Sequence, residues 1–211
     1  MTELRKDIED ALTRPVCSGW DRDFLESILS QLDRGRQLST KQITTATSVV
    51  MRNGQAAQDI HDEWESVYLS DHKEEAIVLA TYYKTTGYFG ELSRDILADI
   101  VPDMRGYNKM SGNKFAQKVL ENFYSEPKYN IGDFVLARSS CTTRTIDAGP
   151  ITNGALGFAS AKLFKSKGGI ILGICNEILS CAKGAKRYKI IPIGSALPVF
   201  IEERHIKLNR K

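Results

Sequence analysis

The apolar residues of the first 125 positions recur at the spacing of amphipathic helices. The first stripe consists of Leu4, Ile8 and Leu12. Comparable stripes follow in six further segments. Ser39 is well placed to cap the third helix, and residues 76–80 are apolar on nearly all sides, which predicts a central helix. Residues 1–125 are therefore predicted to form an all-α domain of helical hairpins.

The pattern changes from helical to alternating at residues 125–128, where Pro127 ends the helical run. Short β-branched and aromatic runs follow, separated by glycine. The strands predicted from them are 134–138, 157–164, 170–175, 187–193 and 198–201. Gly173 is predicted to be a bend or bulge, and the polar residues 139–156 an extended loop. Residues 126–211 are therefore predicted to form a β domain, which makes the chain an α+β protein of two domains.

A short motif at the start of this β region resembles the first strand of SH3-like barrels, a group that includes the Tudor and KOW modules. The motif is Gly132-Asp133-Phe134-Val135. The ending 202–208 resembles the short helical turn and last strand that close such barrels. The resemblance implies a small, basic SH3-like β-barrel over residues 126–211. It implies no particular activity, because these barrels support many functions.

A second resemblance involves the turn between the second and third predicted helices. The segment Gly35-Arg36-x-Leu38-Ser39-x-Lys41-Gln42 resembles helix-turn-helix connections of small phage proteins of DNA metabolism and of helicase-associated helical segments. Over residues 20–53 the resemblance implies a viral or phage-type accessory protein that acts on or near DNA, and it carries over no catalytic residue. The candidate phosphate contacts at this turn are Arg34, Arg36 and Lys41. The alternative is an ordinary solvated turn.

Charge is distributed unevenly along the chain. The formal net charge is +3, but residues 1–125 carry 15 Lys and Arg against 20 Asp and Glu, a net charge of −5. Residues 126–211 carry 14 Lys and Arg against 6 Asp and Glu, a net charge of +8. This asymmetry predicts different partners for the two parts, because a positive surface binds polyanions.

Two basic segments of the β region are the candidate nucleic-acid contacts. They comprise Lys162, Lys165 and Lys167 in one segment, and Lys183, Lys186, Arg187 and Lys189 in the other. Side chains of this kind bind phosphates. Tyr188 is the candidate for stacking on a base, with burial in the barrel as the alternative. Phe164 and Phe200 are expected in the core.

The sequence contains no recognised catalytic or cofactor motif. Glycine-rich phosphate loops, nucleophile elbows, metalloprotease motifs and paired-cysteine zinc motifs are all absent from the sequence. The four cysteines are expected to be free thiols. No cofactor, metal site or catalytic residue is therefore predicted. An enzyme with an unrecognised site in the loop 139–156 is a third alternative.

These patterns favour a non-enzymatic nucleic-acid-binding accessory protein, viral or phage-type, with DNA favoured over RNA. The helical domain would contact a replication, transcription or host protein. The alternative is a protein-interaction module or host-factor inhibitor that does not bind nucleic acid. The charged start lacks an apolar signal core, and no apolar run reaches the length of a membrane span. The expected location is the cytoplasm, without a membrane partner.

Overall fold

The chain has an α+β fold, which is known here from a computed structural model that describes residues 2–147 and 155–209. The chain divides into two compact units between Asp71 and His72. We call residues 1–71 the N-terminal unit and residues 72–211 the C-terminal unit. The predicted α+β class is therefore confirmed, and this division into compact units lies between residues 71 and 72, whereas the sequence predicts a boundary between residues 125 and 126.

The N-terminal unit is helical. Its helices are α1 (Thr2–Thr13), α2 (Gly19–Asp33), α3 (Thr40–Arg52) and α4 (Gln55–Val67), and a π-helical turn, Tyr68–His72, leads into the next unit. The apolar stripes of the first three helices meet in a buried core that includes Ile8, Leu25, Ile28 and Val49. Ser39 caps α3 as predicted, because its side chain accepts from the Gln42 N–H while the Gln42 side chain accepts from the Ser39 N–H.

The C-terminal unit begins with α5 (Lys73–Thr86), the central helix of a small bundle. Its buried residues include Ala76, Leu79 and Tyr83 and cover a wide face, whereas Ile77 of the predicted apolar run is 41% exposed. The other helices of the bundle are α6 (Gly90–Leu97), α7 (Met104–Ser111) and α8 (Lys114–Tyr124). The sequence predicted two helices over this stretch. Three form because Asp103 caps α7 and Asn113 caps α8, and each cap restarts the helical hydrogen bonding.

A five-stranded antiparallel sheet completes the C-terminal unit. The strands are β1 (Phe134–Ala137), β2 (Gly169–Cys175), β3 (Arg187–Pro192), β4 (Val199–Glu202) and β5 (Ile206–Leu208). Helix α9 (Ala155–Lys167) precedes β2, and 3₁₀ turns lie at Thr143–Thr145 and Glu203–His205. The strand order is β4-β3-β2-β1-β5. Helix α9 packs on the sheet, where Phe164 is fully buried with Val135, Ile171 and Ile190. Within the described residues no ladder joins β4 to β5, so the predicted closed barrel is wrong: the sheet is open.

Helix α9 occupies the segment 157–164 that was predicted to be a strand. Its buried residues are Gly157, Ser160, Ala161 and Phe164, which is the i, i+3, i+4, i+7 spacing of one helix face. Three of these four residues are small and carry little apolar signal, so the helical period is weak in the sequence. The predicted loop is also partly different, since it contains the 3₁₀ turn and a bridge from Asp147 to Phe200, while 148–154 lie outside the described residues.

Helix α8 is bonded to the segment before β3, across the predicted boundary between residues 125 and 126. The Asn122 Oδ1 atom accepts from the backbone N–H groups of Gly184 and Ala185, both at 3.1 Å. The Lys186 Nζ atom donates to the carbonyl oxygen of Phe123 at 2.9 Å. Helix α8 is thus part of the same folded unit as the sheet.

We expect Asn122→Ala to lower the free energy of unfolding of the C-terminal unit by about 1–2 kcal/mol, because two backbone donors lose their acceptor. Urea unfolding of the full chain, followed by circular dichroism, measures this change. Asn108→Ala is the control, since Asn108 is exposed on α7 and its removal should change the value by less than about 0.5 kcal/mol. Equal effects of the two substitutions would argue that α8 and the sheet are not coupled through Asn122.

Candidate nucleic-acid interface

A cationic groove lies where β1 and β5 pair. We call it the edge groove, and its volume is about 560 Å³. It is lined by Lys128, Tyr129, Leu136, Arg138, Lys207, Leu208 and Asn209. The antiparallel register places Lys207 opposite Leu136, and Arg138 follows the last residue of β1. The three cations of this groove are not among the contacts predicted from the sequence, because they are separate in the chain and only the pairing of β1 with β5 brings them together.

The hydrogen bonds at the edge groove hold its walls and leave its cations available. The Arg138 Nε atom donates to the carbonyl oxygen of Ile206 at 2.7 Å, and the Tyr129 hydroxyl donates to the same oxygen at 3.0 Å. No carboxylate lines the groove. Among the described residues, Lys128, Arg138 and Lys207 form no ion pair with a carboxylate, so each retains donors for an anion.

A second basic surface lies on the exposed face of α9. Phe158 is 53% exposed, and the Lys162 Nζ atom lies 4.6 Å from the centroid of its ring. Lys165 and Lys167 are exposed in the last turn of the same helix. We call Phe158, Lys162 and Lys165 the helical patch. The predicted lysines of this segment are therefore exposed to solvent. Phe158 is exposed beside them, and it was not among the predicted contacts because this segment was predicted to be a strand.

The second predicted basic segment does not form one surface. Lys189 is exposed on β3, and the Lys186 Nζ atom is engaged by the Phe123 carbonyl. Lys183 lines a cleft of about 480 Å³ together with Glu121, Glu126 and Glu203. These carboxylates oppose the binding of a polyanion at that cleft.

Arg187 is buried rather than available for phosphates. It is 4% exposed, and its guanidinium donates to Asp147 at 2.6 Å and to Glu177 at 3.0 Å. It also lies 5.6 Å from the ring centroid of Phe200. Arg187 thus ties the segments before α9 and after β2 to the sheet, which is a structural role.

Tyr188 is fully buried, so the predicted exposed stacking position is wrong and the alternative, burial, is confirmed. Its hydroxyl donates to Glu203 Oε2 at 2.9 Å and accepts from the Tyr129 N–H at 3.2 Å. Burial is the main cause that raises the pKa of Tyr188 far above its ordinary value, and the Glu203 carboxylate raises it further. Phe164 is also fully buried, as expected.

Arg34, Arg36 and Lys41 are exposed around the turn between α2 and α3. They belong to the N-terminal unit and therefore to a different compact body from the other candidates. The Ser39 and Gln42 amides at this helix start are already bonded by the capping box. The proposed phosphate contact at this turn remains a prediction that rests on the three side chains alone.

The described residues offer one group of possible metal ligands. His61, Asp62 and Glu65 on α4 have ligand atoms within 4.8 Å of one another, but both carboxylates are exposed, as is common on helix surfaces.

Cys141 is buried, and burial raises the pKa of its thiol, so the thiol is protonated at neutral pH. A raised pKa disfavours the thiolate, which is the form of cysteine that acts as a nucleophile.

Comparisons of this chain with protein-family models, with curated proteins and with solved structures give no match. Among the described residues, no helix combines the length and the apolar character needed to cross a membrane.

Proposed function

We propose that the C-terminal unit binds nucleic acid through the phosphate backbone, with the edge groove as the main contact. The observation that supports this proposal is the lining of the groove, which contains three cations and no carboxylate. Phosphodiester oxygens are anionic acceptors that match lysine and arginine donors. The chain then acts as a non-enzymatic nucleic-acid-binding accessory protein.

The charge of the two units supports the same proposal. Residues 1–71 carry 8 Lys and Arg against 13 Asp and Glu, whereas residues 72–211 carry 21 against 13. Residues 72–125 contribute 7 of each sign, so the positive excess belongs to the segment that contains the sheet. A net positive charge on this segment attracts a polyanion before any specific contact forms.

We further propose an SH3-like relationship for the sheet, with α9 inserted between β1 and β2. The support is that β5 follows a short 3₁₀ turn and pairs with β1, which corresponds to the closing turn and last strand of such barrels. The viral or phage setting, the preference for DNA over RNA and the role beside a replication or transcription protein rest on the resemblance of the α2–α3 connection. The corresponding location is the cytoplasm, of a host cell if the protein is viral.

The test is a binding titration of the full chain with labelled single- and double-stranded DNA and RNA at several salt concentrations. We expect binding at low salt that weakens steeply as salt rises, because bound cations release counterions from the phosphates. Fluorescence anisotropy measures the dissociation constant at each salt concentration. Absence of binding to all four nucleic acids at low salt would contradict the proposal.

The triple variant K128Q/R138Q/K207Q should bind at least about tenfold more weakly and should reduce the slope of log K against log salt by about 2–3, since three phosphate contacts are lost. The matched control is K84Q/R94Q/K109Q, which removes the same charge from exposed positions of α5, α6 and α7. If both triple variants lose affinity equally, the effect comes from net charge and the edge groove is not the site.

A second candidate function is protein binding by the N-terminal unit. Apolar side chains are exposed at Ile60, Val67 and Leu69, with exposed fractions of 61%, 38% and 48%, in a unit whose net charge is negative. Exposed apolar groups with an acidic surround suit a basic protein partner. Capture of one stoichiometric protein that survives nuclease treatment, by a chain that binds no nucleic acid, would favour this candidate over the first.

A further inference from the structure

The helical patch combines an exposed aromatic ring with cations on one side of α9. Phe158 is 53% exposed, while Phe164 on the opposite face is fully buried against the sheet. Lys162 lies one turn after Phe158, and Lys165 lies nearly one further turn along the same face. The ring is therefore not part of the core, and the Lys162 ammonium lies 4.6 Å from its centroid.

A cation beside a ring has a simpler explanation, since a pair at i and i+4 also stabilises the helix on its own. The chain contains another contact of a lysine with an exposed ring between the adjacent residues Lys114 and Phe115, where the Nζ atom lies 5.3 Å from the ring centroid and Phe115 is 46% exposed. That pair lies in residues 72–125, whose positive and negative charges balance. The helical patch differs because it has a second lysine, Lys165, in the same helix and lies in residues 126–211, whose net charge is +8.

We propose that Phe158 stacks on an unpaired base and that Lys162 and Lys165 bind the phosphates on either side of that base. The C-terminal unit would then prefer single-stranded to double-stranded nucleic acid. An exposed ring stacks on any base, because every base has a π-face, whereas bases in a duplex already stack on each other. This inference rests on the function proposed above and names the strand state that the same protein selects.

The experiment uses the full chain with fluorescein-labelled oligo(dT) and with a labelled duplex of the same length at low salt. Phe158→Ala should weaken oligo(dT) binding by about 5- to 150-fold, which corresponds to about 1–3 kcal/mol of stacking. Duplex binding should change by less than about twofold, because the phosphate contacts remain. Phe158→Trp should keep the affinity for oligo(dT), and its added tryptophan fluorescence should be quenched on binding, relative to the wild-type chain.

Phe115→Ala is the matched control and should leave both dissociation constants unchanged. If the wild-type chain binds both probes and Phe158→Ala binds them equally well, the stacking inference is overturned and the proposed phosphate binding stands. The inference is also overturned if Phe115→Ala weakens oligo(dT) binding as much as Phe158→Ala, or if the Phe158→Trp signal is not quenched. If the wild-type chain binds neither probe, the proposed function fails and the stacking inference fails with it.

Discussion

Gly168→Ala should destabilise the C-terminal unit by about 3–5 kcal/mol. Gly168 ends α9 with a φ angle of +74°, a backbone conformation that costs an L-residue about 1–2 kcal/mol. A Cβ atom there would also lie within 2.8 Å of Leu136 Cδ2 and still closer to the carbonyl oxygen of Val135. That oxygen belongs to the backbone of β1 and cannot turn away, so β1 and the start of β2 must separate.

Gly194→Ala separates the cost of the backbone conformation from the cost of the steric clash. Gly194 has a φ angle of +84°, but a Cβ atom there would meet nothing within 4 Å. It should therefore cost only the conformational part, about 1–2 kcal/mol. Urea unfolding of both variants gives the comparison, and similar values for the two glycines would show that the close approach at β1 is relieved without loss of packing.

The double variant Asp147→Ala with Glu177→Ala should lower the free energy of unfolding by about 3 kcal/mol. It leaves the Arg187 guanidinium, which is 4% exposed, without either of its carboxylate partners. Removing one side of a buried ion pair costs about 3–5 kcal/mol because a buried charge loses its compensation. The lower end applies because the Asp147 and Glu177 side chains are themselves 51% and 65% exposed.

Adding Arg187→Met to this double variant should restore at least about 1 kcal/mol, because an apolar side chain replaces the uncompensated charge. Thermal or urea unfolding of the double and triple variants measures the difference. Lys73→Ala is the reference for an exposed ion pair, here with Asp99, and should cost about 0.5 kcal/mol or less. A triple variant that is no more stable than the double variant would show that Arg187 contributes packing rather than a charge that needs partners.

Much of the fold follows from local sequence patterns. The stripe of α1, the Ser39 cap of α3 and the apolar run of α5 each lie where the period predicts them. The predicted irregularity at Gly173 is confirmed, because the register of β2 with β3 shifts between Ile171 and Gly173. These features depend on neighbours in the chain, and that is the information that periodicity carries.

The errors arise where distant contacts decide the structure. Gly157, Ser160 and Ala161 are buried but small, so their helical spacing carries little hydrophobic signal. Pro127 does end a helical run, but the bonds from Asn122 to the segment before β3 make α8 part of the sheet-containing unit. Propensity and proline placement describe local structure, and tertiary packing overrides both here.

In the candidate site too, the features that depend on neighbouring residues were predicted and those that depend on distant contacts were not. The exposed lysines of α9 were found from charge alone, because clustered cations in the sequence are also close in space on a helix. Arg187 and Tyr188 were misplaced, since alternation predicts opposite faces for them but both faces are covered at this point of β3. The edge groove was not found at all, because Lys128, Arg138 and Lys207 meet only through the pairing of β1 with β5.

The position of β1 has a consequence for how the sheet assembles. Phe134 pairs with Ile170 and Val135 pairs with Leu208, so both partner strands of β1 are remote in the chain, whereas the β2–β3 and β3–β4 pairs join strands that are closer in sequence. Closing long loops costs entropy before the contacts form, and we therefore expect β1 to join last during folding. A polyanion bound in the edge groove contacts only the state in which β1 and β5 are already paired. By mass action it would raise the population of that state and oppose the opening of the pair that forms most slowly.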